Sequence, residues 1–224
     1  VARYAVEAAK FIESQRAELL VIACNTATAL ALDQITDAAQ IPVVGVVDPG
    51  AAAAAAASRN QQVVVIGTEA TVSSHAYRKA LESRGLQARE KACPLLVPLV
   101  EEGWIDHTVT EQVARIYLQE AFADGFEHAD TLVLGCTHYP LIRPLLQRLA
   151  PRGLTIVDSA ESTASMVCHR LGISDASLLD TDASQTLKPN IKFFATDSVD
   201  KFRRFGPRFL GHPVKDVQHV DLKE

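Results

Sequence analysis

The chain has 224 residues, 48% of them hydrophobic, and a formal net charge of -5 from 22 basic and 27 acidic side chains. That is enough apolar sequence for a globular core, while the acidic balance and the lack of an RNA-reading aromatic motif exclude nucleic acid as the main partner. No apolar run approaches the roughly 18 residues of a membrane span, and four cysteines without CxxC spacing or a secretory leader point to a reducing cytoplasm.

Residues 1–15 read as an amphipathic helix with Tyr4, Ala8, Phe11 and Ile12 on one face, so the sequence opens inside an element. Residues 19–23 form a short apolar strand of the kind buried on both faces, with Cys24 at its carboxyl end. Asn25 and Thr26 are expected to cap a helix over 27–39. A strand over 41–47, entered through Pro42, leads to Asp48-Pro49-Gly50, read as a turn and a domain crossover. The alanine run 51–57 reads as a closely packed helix. Residues 62–66 give a third strand, and Gly67-Thr68 turns into one helix over 69–84, stopped by Gly85. A strand over 86–92 follows, after which Pro94 and Pro98 rule out a long helix from Cys93. Asp106 is then expected to cap a helix whose apolar period runs through Val109, Val113, Ile116, Tyr117 and Ala121 and which Gly125 closes.

Residues 131–134 form the strand before Gly135 and Cys136, and a helix over 140–150 carries its proline in the first turn. A strand over 154–157, a turn at Asp158-Ser159 and a helix over 160–171 come next, then a polar loop over 174–189. The last strand covers 191–195, before a basic amphipathic helix with Phe202, Phe205 and Phe209 and a tail through Val220. Strands and helices alternate at crossover distances, which predicts an α/β fold of mostly parallel sheets with helices on both faces.

Two segments share one grammar: LVIACNTAT at 20–28 and LVLGCTHYPLI at 132–142 each end an apolar run in a cysteine followed by small polar residues. Open α/β sheets bind ligands at the carboxyl ends of their strands. A lone cysteine there is ordinarily an inert small hydrophobe. The duplication, about 110 residues apart and so about one small domain, suggests two half-sites meeting across a cleft. A helix amino terminus beside each thiol favours thiolate. Two thiols on opposite faces of one carbon can exchange its proton, one as thiolate base and the other as thiol acid, inverting the centre without a cofactor.

His138 stands two residues from Cys136 and can tune its proton, and Glu101 is a further candidate acid. Asn25, Thr26, Thr68, Thr71 and Thr137 offer hydroxyls, an amide and backbone N–H groups suited to carboxylates, although helix capping explains any one of them. Cys93 and Cys168 read as structural. Cys136-Thr137-His138 lacks a second pair at zinc-site spacing, and GxGxxG, Walker and GxSxG motifs are absent.

VIACNTATA around Cys24 and LGCTHYPLI around Cys136 resemble the two catalytic motifs of bacterial glutamate racemases, in the aspartate/glutamate racemase superfamily. IGTEATVSSHAY at 66–77, CPLLVPLVEEG at 93–103, VDSAEST at 157–163 and FLGHPVKDVQHVDL at 209–222 extend the resemblance in order along essentially the whole chain. The resemblance implies a cofactor-independent enzyme that interconverts L- and D-glutamate and supplies D-glutamate for peptidoglycan, with no metal. It implies that Cys24 handles the α-proton of D-glutamate and Cys136 that of L-glutamate, with His138 and Glu101 assisting the second cysteine. Asn25, Thr26, Thr68, Thr71 and Thr137 match positions that hold the substrate's carboxylates and amino group. Two pseudo-symmetric α/β domains, residues 1–47 with 157–224 and residues 48–156, are expected to enclose the substrate in their cleft, and a homodimer is implied.

The family's initial Asp-Ser-Gly strand and its later Pro-Tyr-Gly segment have no counterpart in this sequence, so reduced or no activity is expected of a chain lacking them. Aspartate or hydantoin racemase, and a non-catalytic substrate-binding fragment, are the competing readings.

Overall fold

The structure, a computed structural model, describes residues 1–173 and 190–222. The chain divides into two compact units, Val1–Ala164 and Ser165–Glu224. The first unit opens with α1 (Ala2–Ser14), β1 (Leu20–Ile22), α2 (Asn25–Ala38) and β2 (Val43–Gly45). It continues with α3 (Val47–Ala57), β3 (Gln62–Gly67), α4 (Glu69–Ser74), α5 (Ala76–Glu82) and β4 (Gln87–Ala92). Then come α6 (Leu96–Glu101), α7 (Thr108–Ala121), β5 (Thr131–Gly135), a 3-10 turn at Tyr139–Ile142, α8 (Arg143–Leu149) and β6 (Thr155–Asp158). Helix α9 (Ala160–Arg170) runs across the division between the units.

Every strand pair is parallel, in a two-stranded sheet β1-β2 and a four-stranded sheet ordered β4-β3-β5-β6. This is the α/β architecture expected from the alternation of elements. The apolar runs explain it, because a parallel strand covered on both faces needs apolar residues at every position. Val63, Val65 and Val133 pack with Ala51, Ala54, Tyr77 and Leu81 on one face. Val64, Ile66, Leu132 and Leu134 pack with Leu118, Ile142 and Leu146 on the other. Each such aliphatic side chain contributes about 1.5–3 kcal/mol by leaving water. The order doubles back after β4, so the carboxyl ends of β3 and β5 lie side by side, with Gly67 in register with Gly135. That is the topological switch point of the sheet, where a crevice opens.

Several local expectations give way. Asp48-Pro49-Gly50 lies inside the first turns of α3 rather than in a turn of its own. Proline is tolerated there because the first helical N–H groups have no partner. Gly50 needs no unusual backbone: a Cβ on it would lie 2.9 Å from the Tyr77 hydroxyl.

The helix expected over 69–84 is broken into α4 and α5 at His75, whose φ of 55° is left-handed. The His75 ring is held 2.8 Å from the Glu90 carboxylate, itself almost wholly buried. Helix α7 is capped by His107, whose Nδ1 accepts from the Val109 N–H at 3.1 Å, and not by Asp106. Its buried face is Thr110, Ala114, Leu118 and Ala121, with Val109 and Ile116 exposed, one position round from the apolar period. The small residues let α7 lie close against the sheet.

In the second unit, β7 (Phe193–Ala195) and β8 (Val217–His219) pair in parallel on either side of α10 (Val199–Leu210). Ser198 caps α10 by accepting from the Lys201 N–H at 3.1 Å. Ala195, Val214 and Val217 form a small core with Phe193 and Val199. The loop reading for residues 174–189 lies outside the described residues.

Candidate active site

Cys24 is the residue before α2, in extended conformation, and is exposed. Asn25 and Thr26 are the first residues of that helix rather than its caps, which leaves their side chains for other partners. The Thr26 hydroxyl lies 2.8 Å from that of Thr68 and 3.1 Å from that of Thr71, and Thr68 and Thr71 are 3.0 Å apart. Three hydroxyls at mutual hydrogen-bond distance form a closed triangle in which each can donate once. Thr68 also accepts from the Thr71 N–H at 3.2 Å, capping α4. Since Thr68 directly follows Gly67, the triangle ties the Cys24 turn to the strand end beside Cys136.

The second cysteine turn is built differently. Cys136 is buried, and the helix expected over 140–150 opens as a 3-10 turn at Tyr139–Ile142 before continuing as α8. Burial pushes the Cys136 thiol up to about 11. The backbone N–H of His138 pulls it down, negative charge on Cys24 pushes it up, and the N–H of Tyr139 pulls it down again. The expectation that a helix start would favour thiolate therefore fails at Cys136, where loss of water outweighs the N–H donors. The influence of Cys24 on this thiol also means that the two sulfurs lie within electrostatic reach of each other.

His138 Nδ1 is 3.9 Å from the Cys136 sulfur, and His138 Nε2 is 3.3 Å from a Glu101 carboxylate oxygen. Glu101 reaches this position as the last residue of α6. Together they make a sulfur–imidazole–carboxylate chain able to carry a proton away from Cys136 or return it. Thr137 is exposed next to Cys136.

Two tyrosines that the sequence reading passed over organise these turns. The Tyr139 hydroxyl donates to the carbonyls of Gly67 at 3.1 Å and Cys93 at 3.0 Å, fastening the Cys136 turn to the ends of β3 and β4. The Tyr77 hydroxyl donates to Asn25 Oδ1 at 2.7 Å. Burial pushes both phenols far up, so both stay protonated donors. Neither left a pattern in the sequence, because their partners are distant in the chain.

Cys93 is buried with its thiol pushed up to about 12 by lost hydration, and Cys168 lies on α9. Beside Cys24, a cavity of about 560 Å³ runs between α1 and β1, walled by apolar residues including Tyr4, Ile12 and Val21. That lining does not suit a charged amino acid, whereas the hydroxyl and amide groups at the start of α2 do. Among the described residues there is no cluster of three or more metal-ligating side chains and no helix long and apolar enough to cross a membrane.

Comparison with known proteins agrees with this geometry. Residues 1–167 match the Asp/Glu/Hydantoin racemase family. The glutamate racemase of Koribacter versatilis (strain Ellin345) is 58% identical, over 99% of this chain and 82% of that protein. The crystal structure of glutamate racemase isoform RacE1 from Bacillus anthracis superposes with a TM-score of 0.85 at 35% identity, over 99% of this chain and 80% of that one. The glutamate racemase of Francisella tularensis subsp. tularensis SCHU S4, solved in complex with D-glutamate, gives a TM-score of 0.85 at 30% identity over the same shares. With likeness of sequence and fold along nearly its whole length, the chain belongs to the Asp/Glu/Hydantoin racemase family, among the glutamate racemases.

Proposed function

We propose that the chain interconverts L- and D-glutamate by proton exchange between Cys24 and Cys136. One sulfur, as thiolate, takes the α-proton; the C–H electron pair stays on the substrate, and the other sulfur, as thiol, returns a proton to the opposite face. The observation that carries this reading is the approach of two cysteine turns, one at the carboxyl end of β1 in the two-stranded sheet and one at that of β5 in the four-stranded sheet, joined by the Thr26–Thr68–Thr71 triangle and electrostatically coupled.

In this mechanism His138 and Glu101 manage the proton on Cys136, whose burial otherwise holds it as a thiol. Asn25, Thr26, Thr68, Thr71 and Thr137 bind the substrate's carboxylates and amino group. The threonine hydroxyls, which pair with one another, turn to the substrate when it binds. The two matched halves, residues 1–47 with 157–224 and residues 48–156, each contribute one cysteine turn. The same reading assigns the enzyme to the cytoplasm and its product to peptidoglycan synthesis; a homodimer is part of it and rests on the family resemblance alone.

The test is solvent-deuterium incorporation at the α-carbon of L- and D-glutamate, by the protein and by its Cys24→Ser and Cys136→Ser variants. Racemisation should fall about 10²–10⁴-fold in each variant, the usual share of a positioned acid or base. Exchange that continues unchanged in both variants would sink the two-thiol mechanism.

A further inference from the structure

Tyr77 is fully buried and touches both cysteine turns. Its hydroxyl donates to Oδ1 of Asn25, the residue after Cys24, at 2.7 Å. Its ring edge lies where a Cβ on Gly135, the residue before Cys136, would come within 3.2 Å. On its other side the hydroxyl leaves only 2.9 Å for a Cβ on Gly50. Neither glycine has a positive φ; at Gly50 the Tyr77 hydroxyl is the nearest atom a Cβ would meet, and at Gly135 the ring edge crowds it after the Ile66 carbonyl oxygen at 3.0 Å. The Ser159 side chain flanks the phenol on the Gly50 side, its Cβ 3.2 Å from where a Cβ on Gly50 would lie.

A phenol has one proton, and here it is committed to an oxygen. The Asn25 amide therefore has its carbonyl fixed inward, and its NH₂ is turned the other way. Asn25 is itself buried, but its Nδ2 is not among the buried side-chain atoms lacking a partner, and its one hydrogen bond among the described residues is to Tyr77. The NH₂ thus remains open to a ligand beside Cys24.

We infer that Tyr77 is a positioning residue: it sets the orientation of the Asn25 amide so that Asn25 presents only donors, suited to a substrate carboxylate. This rests on the proposed reading of Asn25 as a substrate contact. Without the phenol proton the amide can turn over and offer an oxygen to the same carboxylate, which repels it.

The test is a double-mutant cycle on D-glutamate affinity, measured by isothermal titration calorimetry on the protein and its Tyr77→Phe, Asn25→Ala and combined variants. Asn25→Ala should weaken binding roughly tenfold or more, as expected for loss of a hydrogen bond to a charged group. Tyr77→Phe should weaken it about threefold to tenfold in the original background and leave it unchanged in the Asn25→Ala background. A merely structural tyrosine would act equally in both backgrounds, and that outcome overturns the inference. So does a Tyr77→Phe variant with unaltered affinity when Asn25→Ala is weakened. If Asn25→Ala itself binds normally, it is the reading of Asn25 that fails, and the inference falls with it. Should Tyr77→Phe not fold, Asn25→Asp, which accepts the same phenol proton but has no outward donor, should weaken binding at least as much as Asn25→Ala, and unaltered affinity in it overturns the inference.

Discussion

Alkylation of the free protein by iodoacetamide measures how far burial governs Cys136. An ordinary thiol at 9.0 is about one-tenth ionised at pH 8, whereas the Cys136 thiol, at about 11, is ionised in about one molecule in a thousand. Thiolate population alone thus slows its reaction about a hundredfold. A more basic thiolate is also a better nucleophile, with a Brønsted slope near one half, which recovers roughly tenfold. Net slowing of about tenfold remains before access is counted; a sulfur in a residue only 6% exposed reacts more slowly still. Peptide mapping by mass spectrometry follows each cysteine separately, with glutathione as the reference thiol. The shape of the pH profile is the more demanding readout: the Cys136 rate should keep rising through pH 9 and level only near 11. A plateau below pH 9 would refute the reasoning, because it would mean that His138 and the backbone N–H groups overcome burial in the free protein.

Tyr139→Phe removes two hydrogen bonds but orphans no carbonyl, since Gly67 O still accepts from the Cys93 N–H at 2.9 Å and Cys93 O from the Leu96 N–H at 3.2 Å. Unfolding free energy by urea should fall by about 1–2 kcal/mol, and a loss above about 4 kcal/mol would show that the phenol does more than bridge the strand ends. Asp130 accepts from the hydroxyls of Ser58 and Thr131 and the N–H groups of Arg59 and Asn60. Burial raises its pKa, but these four bonds together outweigh it and hold the carboxyl below its ordinary value. A lowered folded value adds stability above the ordinary carboxylate range, lost as pH falls through it, so Asp130→Ala should lose about 1–3 kcal/mol at neutral pH. Below about pH 4 the deficit should shrink; a deficit independent of pH would mean that the carboxylate charge contributes nothing.

How much of this was legible depends on whether the signal is local. QVVVI between turn residues reads as a buried parallel strand because each position carries the evidence, and the two cysteine turns stand out because the pattern occurs twice. Pro49 and Gly50 misled because composition reports a turn, whereas the reason for the glycine is a tyrosine 27 residues later. The left-handed His75 has no local signature, since its ring is anchored by Glu90 across the sheet edge. Tyr77 was invisible for the same reason, its contacts coming from four separate segments around Asn25, Gly50, Gly135 and Ser159.

The matched motifs also conceal a chemical difference that only packing reveals. Cys24 precedes a 14-residue helix and is exposed, while Cys136 precedes a 3-10 turn and is sealed beneath the sheet end. Under the two-thiol mechanism the enantiomers have equal free energy, so kcat/KM must be equal in the two directions however unlike the thiols are. The difference can then appear in kcat and KM taken separately, and in which protonation state rests between turnovers. In that mechanism burial keeps Cys136 protonated between turnovers, and the His138–Glu101 pair beside it is placed to take its proton when the reaction runs the other way.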